Sequence, residues 1–351
     1  MALGIMCYHF LAWSSGLPDG NTILGRLGIY GVSIFYVLSG MSLYVAYRST
    51  SWNKAEIITF WKRRFLRIAP VYWIACLGVL ILLNQSQPVK TIAQNLTLTF
   101  GFLDYARYIP TGGWSIGNEI CFYLLFPALI ISTRHIYVFS ALCIALFIPY
   151  VVFAFDTLDS GSGLAKHWKS YIHPFNQAFL FASGIILAKI STHARHIRPS
   201  NIICFALFAT SIAGLFLYGN TPEAIDLVTS ANRMIFTAFS LIACYACFNM
   251  HTSGKTLLEK CLKHLGEISY SVYMLHALLF LLLQKHLYKG FIKNLTLSQF
   301  AFFIVVPIVL IAATYCYKRV EVPFIRLGRT TSGPLKDRLR GAFARPPARP
   351  D

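Results

Sequence analysis

Along the chain, polar residues cluster in short bursts, and apolar residues fill the long intervals between them. Apolar runs that approach or reach the roughly 17–25 residues needed to cross a bilayer begin near Leu27, Pro70, Ile116, Ile136, Pro174, Asn201, Met234, Ile268 and Phe300. A tenth, Ala2 to Trp13, has only about a dozen residues. Lengths of this kind predict helices, because a membrane-spanning segment must satisfy its backbone hydrogen bonds internally. The stretch Trp52 to Arg67 interleaves Ile57, Ile58, Phe60, Trp61 and Phe65 with basic residues, as an amphipathic helix on a membrane surface does. Asn95 to Leu103 is too short to cross and is expected to be interfacial or re-entrant. The sequence contains no internal repeat. The pattern therefore predicts an all-α, polytopic transmembrane bundle of about ten spans forming one domain over residues 1–327. A basic, Pro- and Arg-rich tail over 328–351, disordered from about Arg329, follows it.

Composition agrees with this pattern. Only 13% of residues are charged and 56% are hydrophobic, against about 25% charged in a soluble domain. The net charge of +18 would suit a nucleic-acid binder if the cations were clustered on one face, but they lie between the apolar runs. With both termini placed in the cytoplasm, one set of loops and the tail carry 22 Lys and Arg and the other set carries 9. Cytoplasmic loops carry such an excess, so the charge reports topology and no nucleic-acid partner is expected.

The nine cysteines do not form a disulfide or metal pattern. Eight of them, including the Cys244 and Cys247 pair, fall in apolar stretches and read as small hydrophobes. No metal or bound cofactor is expected. Gly254-Lys255-Thr256 has Asn249 where a phosphate-binding loop needs its first Gly. No Gly-x-Ser-x-Gly elbow occurs, and no His is followed five positions later by Asp.

Ionisable side chains within spans are costly and are functional candidates by default. Three stand out: His9 in the short first span, Glu119 a few residues into the span near Ile116, and His276 mid-way along another. A lone intramembrane His is ordinarily a hydrogen-bonded core residue, and that reading is favoured for His276. Glu119 needs a cation, a cage of donors or an altered proton affinity. Chain direction puts His9 and Glu119 toward the outer half, where a carboxylate oriented against an imidazole would form an acid/base pair. On the other side Lys62, Arg63, Arg64 and Arg67 crowd against the membrane. Arg63 and Arg67, four apart, share a helix face that would suit a phosphate, although inside-positive topology with anionic lipids explains the same cluster.

Five motifs carry a resemblance. They are Tyr8-His9-Phe10; the run Gly31 to Gly40 (GVSIFYVLSG), which contains Ser39; Phe60 to Tyr72 (FWKRRFLRIAPVY); Trp114 to Pro127 (WSIGNEICFYLLFP), which contains Ser115 and Glu119; and Gly266 to His276 (GEISYSVYMLH). In order and spacing the chain resembles the integral-membrane acyltransferase-3 family, which O-acylates sugars and polysaccharides. The resemblance implies that His9 is the catalytic base, Glu119 its catalytic partner, and Arg63 with Arg67 the residues that handle an acyl-CoA donor, joined by Arg64. Lys62 and Arg64 are expected to face lipid rather than the chemistry. Ser39, Trp114, Ser115 and His276 are left with acceptor-contact or structural roles, and Glu321-Val322-Pro323 matches the family's closing Glu-x-Pro. The family places an Arg about eleven residues before this His, a position that precedes Met1, so the first span is expected to lack its start.

The expectation is thus a membrane-bound O-acyltransferase that moves an acyl, and specifically an acetyl, group from acyl-CoA to a hydroxyl of a glycan or lipid-linked saccharide, in contact with the lipids of a bacterial inner membrane. The alternative is a transporter or flippase of a glycan intermediate or small metabolite. Transporters commonly carry inverted repeats, and none is found. A structural or sensor protein would leave Glu119 unexplained.

Overall fold

The computed structural model describes residues 1–193, 199–288 and 294–330. Among the described residues there is no β-strand, and every apolar run becomes helix. The helices are α1 (Ala2–Ser15), α2 (Ile23–Tyr47), α3 (Lys54–Leu77), α4 (Val89–Leu96), α5 (Phe100–Leu103), α6 (Gly113–Ser132), α7 (Ile136–Val152) and α8 (Trp168–Tyr171). They continue as α9 (Pro174–His193), α10 (Asn201–Leu217), α11 (Ser230–Asn249), α12 (Leu257–Glu267), α13 (Ser269–Leu283), α14 (Leu297–Phe300), α15 (Val306–Cys316) and α16 (Val322–Thr330). Six are long and apolar enough to cross a membrane by themselves or with their π-helical extensions, and the bent pair α12–α13 makes a seventh. The protein is therefore a helical bundle with several membrane-compatible spans. The expected disorder from Arg329 is corrected at its start, because Arg329 and Thr330 belong to helix α16; the remainder of that expectation, residues 331–351, lies outside the described residues.

Local chemistry sets the helix ends. Asn53 caps α3 and Thr256 caps α12, each through a reciprocal box with the glutamate three residues on, Glu56 and Glu259. The amphipathic stretch and the span that follows it are one helix, since α3 runs uninterrupted through Pro70. The central crossing is α2 against α9. A Cβ on Gly40 would stand 2.1 Å from Phe181 O, and one on Gly184 would stand 2.0 Å from Val37 O. Only glycine lets two backbones approach this closely, which is how membrane helices associate without a hydrophobic driving force.

The segment 89–112 folds back into the bundle instead of capping it. Asn95, fully buried, accepts from Tyr72 OH at 2.6 Å and from Ile109 N at 3.0 Å, and donates to Thr91 O and Arg107 O. Trp73 Nε1 donates to Leu96 O, and Gly101 packs directly on Gly117. Asn95 to Leu103 is thus packed against the other helices. It also makes α6 begin inside the protein, where Gly112, at φ +80°, lies against the Tyr273 hydroxyl.

Candidate active site

Two polar centres lie along the bundle. The first joins α1 and α13. His9 Nδ1 and His276 Nε2 are 2.8 Å apart, and the rings are parallel within 3° at a centroid separation of 5.0 Å. That separation is close to the N···N contact plus the two ring radii, so the imidazoles lie edge to edge in nearly one plane with a straight hydrogen bond. Trp13, one turn beyond His9, lies at 8° to His9 and 10° to His276 and covers one face of both rings, with Phe10 and Phe280 closing the side. His276 is buried, and its Nδ1 contacts Tyr273 O at 2.7 Å. The expectation that His276 is a hydrogen-bonded core residue holds as far as burial and bonding go, but its partner is the other histidine.

Tyr273 ties this centre to the start of α6. Its hydroxyl lies 2.9 Å from Ser115 Oγ and 3.1 Å from Gly112 O, and Ser115 Oγ also reaches Gly112 O at 2.9 Å. Trp114, beside Ser115, is buried against Trp168 and Tyr171 away from the polar centres, a packing position.

The second centre is a cavity of about 1270 Å³, larger than the ~300–1,000 Å³ of ordinary small-ligand sites. Arg63, Arg64, Arg67 and Arg329 line it, along with Tyr47 and Tyr123. So do Ser39, Glu119, Ser115, Tyr273 and Phe35, and Met1, Ala2 and Leu3 of α1. Neither imidazole lines it. His9 stands two turns farther along α1 than Leu3, about 9 Å of helix rise.

In this cavity the Glu119 carboxylate accepts from Ser39 Oγ at 3.2 Å and makes a short hydrogen bond with Tyr123 OH. His9 and Glu119 share no hydrogen bond, so the expected contact between them is not formed. The reason is the inward-packed segment. Depth along α6 is counted as though the helix started at the edge of the bundle, whereas it starts within the bundle and carries Glu119 to Ser39, eight residues from the C-terminal end of α2.

Arg63 and Arg67 do reach one cavity, as their spacing implied. Arg63 is 9% exposed and its Nε donates to Gly328 O at 3.3 Å, which fastens α16 to α3. Arg64, expected to face lipid, instead turns inward. Its guanidinium lies 5.7–5.8 Å from the ring centres of Tyr47, Phe60 and Tyr123, a cation–π cluster that desolvation strengthens. Lys62 is exposed, as expected. Arg63 Nη1 and Arg64 Nε are buried donors without an acceptor among the described residues. Buried donors of this kind are rarely left unpaired, and both are enclosed by protein rather than facing open space. Sequence reasoning missed Arg329, because it lies in the Arg- and Pro-rich end read as tail, and Tyr123, whose only signal was its position one turn from Glu119.

No group of three or more His, Cys, Asp or Glu side chains capable of holding a metal occurs among the described residues. An imidazole pair and a cavity lined by four arginines are thus carried within one helical bundle. Comparison with known proteins gives the family. A family model described as an acyltransferase domain matches residues 1–316, and the chain belongs to the acyltransferase-3 family; it is an acyltransferase. Among curated relatives, the exopolysaccharide production protein ExoZ of Rhizobium meliloti is 26% identical across 86% of this chain and 91% of its own. The acyltransferase MdmB of Streptomyces mycarofaciens is 28% identical across 71% and 67%. The O-acetyltransferase OatA of Staphylococcus aureus is 24% identical across 98% of this chain and 58% of its own length. No solved structure matches.

Proposed function

We propose that the protein is a multi-pass O-acyltransferase of the bacterial inner membrane, with ten spans and both termini cytoplasmic. It passes an acyl group, acetyl in the first instance, from acyl-CoA to a hydroxyl of a glycan or lipid-linked sugar. The uneven division of Lys and Arg supports the sidedness. The names of ExoZ and OatA support a polysaccharide acceptor and an acetyl group.

The donor enters the cavity from the cytoplasmic side. Its phosphates meet Arg63, Arg64, Arg67 and Arg329, where planar guanidinium forks suit phosphate oxygens. Its acyl end points along α1 and α13 toward the imidazoles. His9 then takes the proton of the acceptor hydroxyl as that oxygen attacks the thioester carbonyl. The new C–O ester bond forms, the C–S bond breaks, and the imidazolium returns its proton to the departing thiolate. Glu119, held by Ser39 and Tyr123, supports the wall of the donor cavity rather than orienting His9.

One observation carries this reading. His9 is partly exposed and makes no hydrogen bond through Nε2 among the described residues, which leaves one ring nitrogen free for a proton, in the same bundle as the arginine-lined cavity. The test is mass spectrometry of surface glycans from cells expressing wild-type, His9→Ala or Glu119→Ala protein at equal levels. The His9→Ala cells should lack the acylated glycan, and acylation at the wild-type level in them would remove the assignment. A labelled glycan moved by the purified protein without acyl-CoA would favour a flippase.

A further inference from the structure

We propose that His276 is a positioning residue that fixes the tautomer of His9 and so decides which nitrogen of His9 is the base; this rests on the reading of His9 as base given above.

The argument follows the hydrogens from one end of the chain of contacts to the other. Tyr273 O is a carbonyl and can only accept, so the 2.7 Å contact from His276 Nδ1 requires a proton on that nitrogen. A second proton on His276 would make it a cation at 1% exposure, with no carboxylate bonded to either ring among the described residues, which desolvation disfavours. His276 Nε2 is then a lone pair. At 2.8 Å from it, His9 Nδ1 must be the donor, and the lone pair of His9 is left on Nε2, the nitrogen that makes no hydrogen bond among the described residues. Turning the His276 ring over would place carbon atoms against both Tyr273 O and His9 Nδ1, so both contacts favour the stated orientation. The hydrogen bond made by one ring nitrogen sets the state of the other, and here the setting begins at a helix carbonyl. Catalytic imidazoles are usually held in this way by a carboxylate. In this protein the carboxylate that sequence suggested for the task is bonded to Ser39 and Tyr123 instead.

The chain extends one step further. The α13 turn that supplies Tyr273 O is pinned through the Tyr273 hydroxyl to Ser115 and Gly112, so the wall of the donor cavity and the orientation of the base share one residue.

The experiment compares His276→Gln with His276→Asn in purified enzyme. A glutamine amide oxygen can occupy the place of Nε2 and accept from His9 Nδ1–H. An asparagine amide keeps the contact near Tyr273 O but falls short of His9. The turnover rate should fall about 100-fold or more in His276→Asn and by about 10-fold or less in His276→Gln, with the KM for acyl-CoA unchanged in both. Equal losses in the two variants, or a loss appearing only in that KM, would overturn the proposal. Solid-state ¹⁵N NMR of histidine-labelled wild-type protein reads the tautomer independently of turnover. His9 should carry its proton on Nδ1, and a proton on Nε2 would overturn the proposal whatever the kinetics show. Failure of the underlying function looks different: His9→Ala would then acylate at the wild-type rate although the tautomer is as stated.

Discussion

The imidazole pair and the arginine cavity lie within a few turns of each other, yet they treat their polar atoms in opposite ways. His276 has both nitrogens bonded and His9 has one, and Trp13 and Phe280 fix the planes of the rings. The arginines are built the other way. Arg63 and Arg64 are held by aromatic rings and a helix carbonyl, and each lines the cavity while one of its buried donors has no acceptor among the described residues. A site that does chemistry on a proton needs its geometry set in advance. A site that binds a charged substrate leaves hydrogen-bonding capacity for the substrate to fill. Under the proposed function, the contrast predicts that one region governs rate and the other affinity.

The largest expected effect tests that division directly. His9→Ala should lower the single-turnover rate of acyl transfer about 10²–10⁴-fold while acyl-CoA binding, followed by calorimetry, changes by less than about twofold. Adding His276→Leu to His9→Ala should cost little more, because residues acting as a unit are not additive. Adding Glu119→Gln should multiply the losses, as expected of groups that share no contact. Coupling of His9 to Glu119 rather than to His276 would restore the pairing that sequence suggested and break the comparison.

Next in size, Arg63→Ala and Arg64→Leu should each weaken acyl-CoA binding about 10–100-fold, the worth of one or two hydrogen bonds to a charged group, with the rate at saturating donor unchanged. Arg64→Lys should recover less than half of that loss on a free-energy scale. A lysine keeps the charge but loses the planar fork and its stacking on Tyr47, Phe60 and Tyr123. A fall in rate at saturation would place Arg64 with the chemistry.

How much of this was legible beforehand follows from what each signal measures. Run length reports helices well, and every apolar run became a helix, but six or seven among the described residues are long and apolar enough to cross a membrane against the ten spans expected. The four-residue spacing of Arg63 and Arg67 reports a shared helix face, and both reach the cavity. Depth was the weak signal. It presumes that a span starts where the membrane starts, and α6 starts deep against Tyr273 and Tyr72 because Asn95 pulls the preceding loop inward. That one displacement moved Glu119 away from His9. The His9–His276 pair joins residues 267 apart in sequence, and no local pattern reports contacts of that kind. Arg64 was misplaced because a cation beside the membrane was assumed to seek lipid headgroups, whereas three aromatic rings offered it a closer partner.

A stability prediction sharpens the comparison from outside both sites. Gly184→Ala at the α2–α9 crossing should lower the thermal midpoint in detergent by an amount equivalent to about 1–3 kcal/mol of overpacking, since its Cβ would meet Val37 O at 2.0 Å. Transfer rate and donor affinity should fall together in this variant, measured below the midpoint, because α2 packs through Gly28 on Tyr8, beside His9, and also walls the cavity. An effect on affinity alone would mean that α2 serves only the donor site.

The smallest expected effect is the most discriminating for the arginines. Lys62 immediately precedes Arg63 on α3 but is exposed and does not line the cavity. If the donor were attracted by the general positive field of this helix, Lys62→Ala would weaken binding as much as Arg63→Ala does. If the guanidinium groups that line the cavity hold the phosphates, Lys62→Ala should change acyl-CoA affinity by less than about twofold, within the ±0.5 kcal/mol usual for an exposed substitution. Ionic strength separates the two cases again. Long-range attraction decays over a Debye length of about 8 Å at 0.15 M salt, whereas direct hydrogen bonds to guanidinium groups are screened less, so donor affinity titrated from low to moderate salt should fall only modestly in wild type and in Lys62→Ala alike.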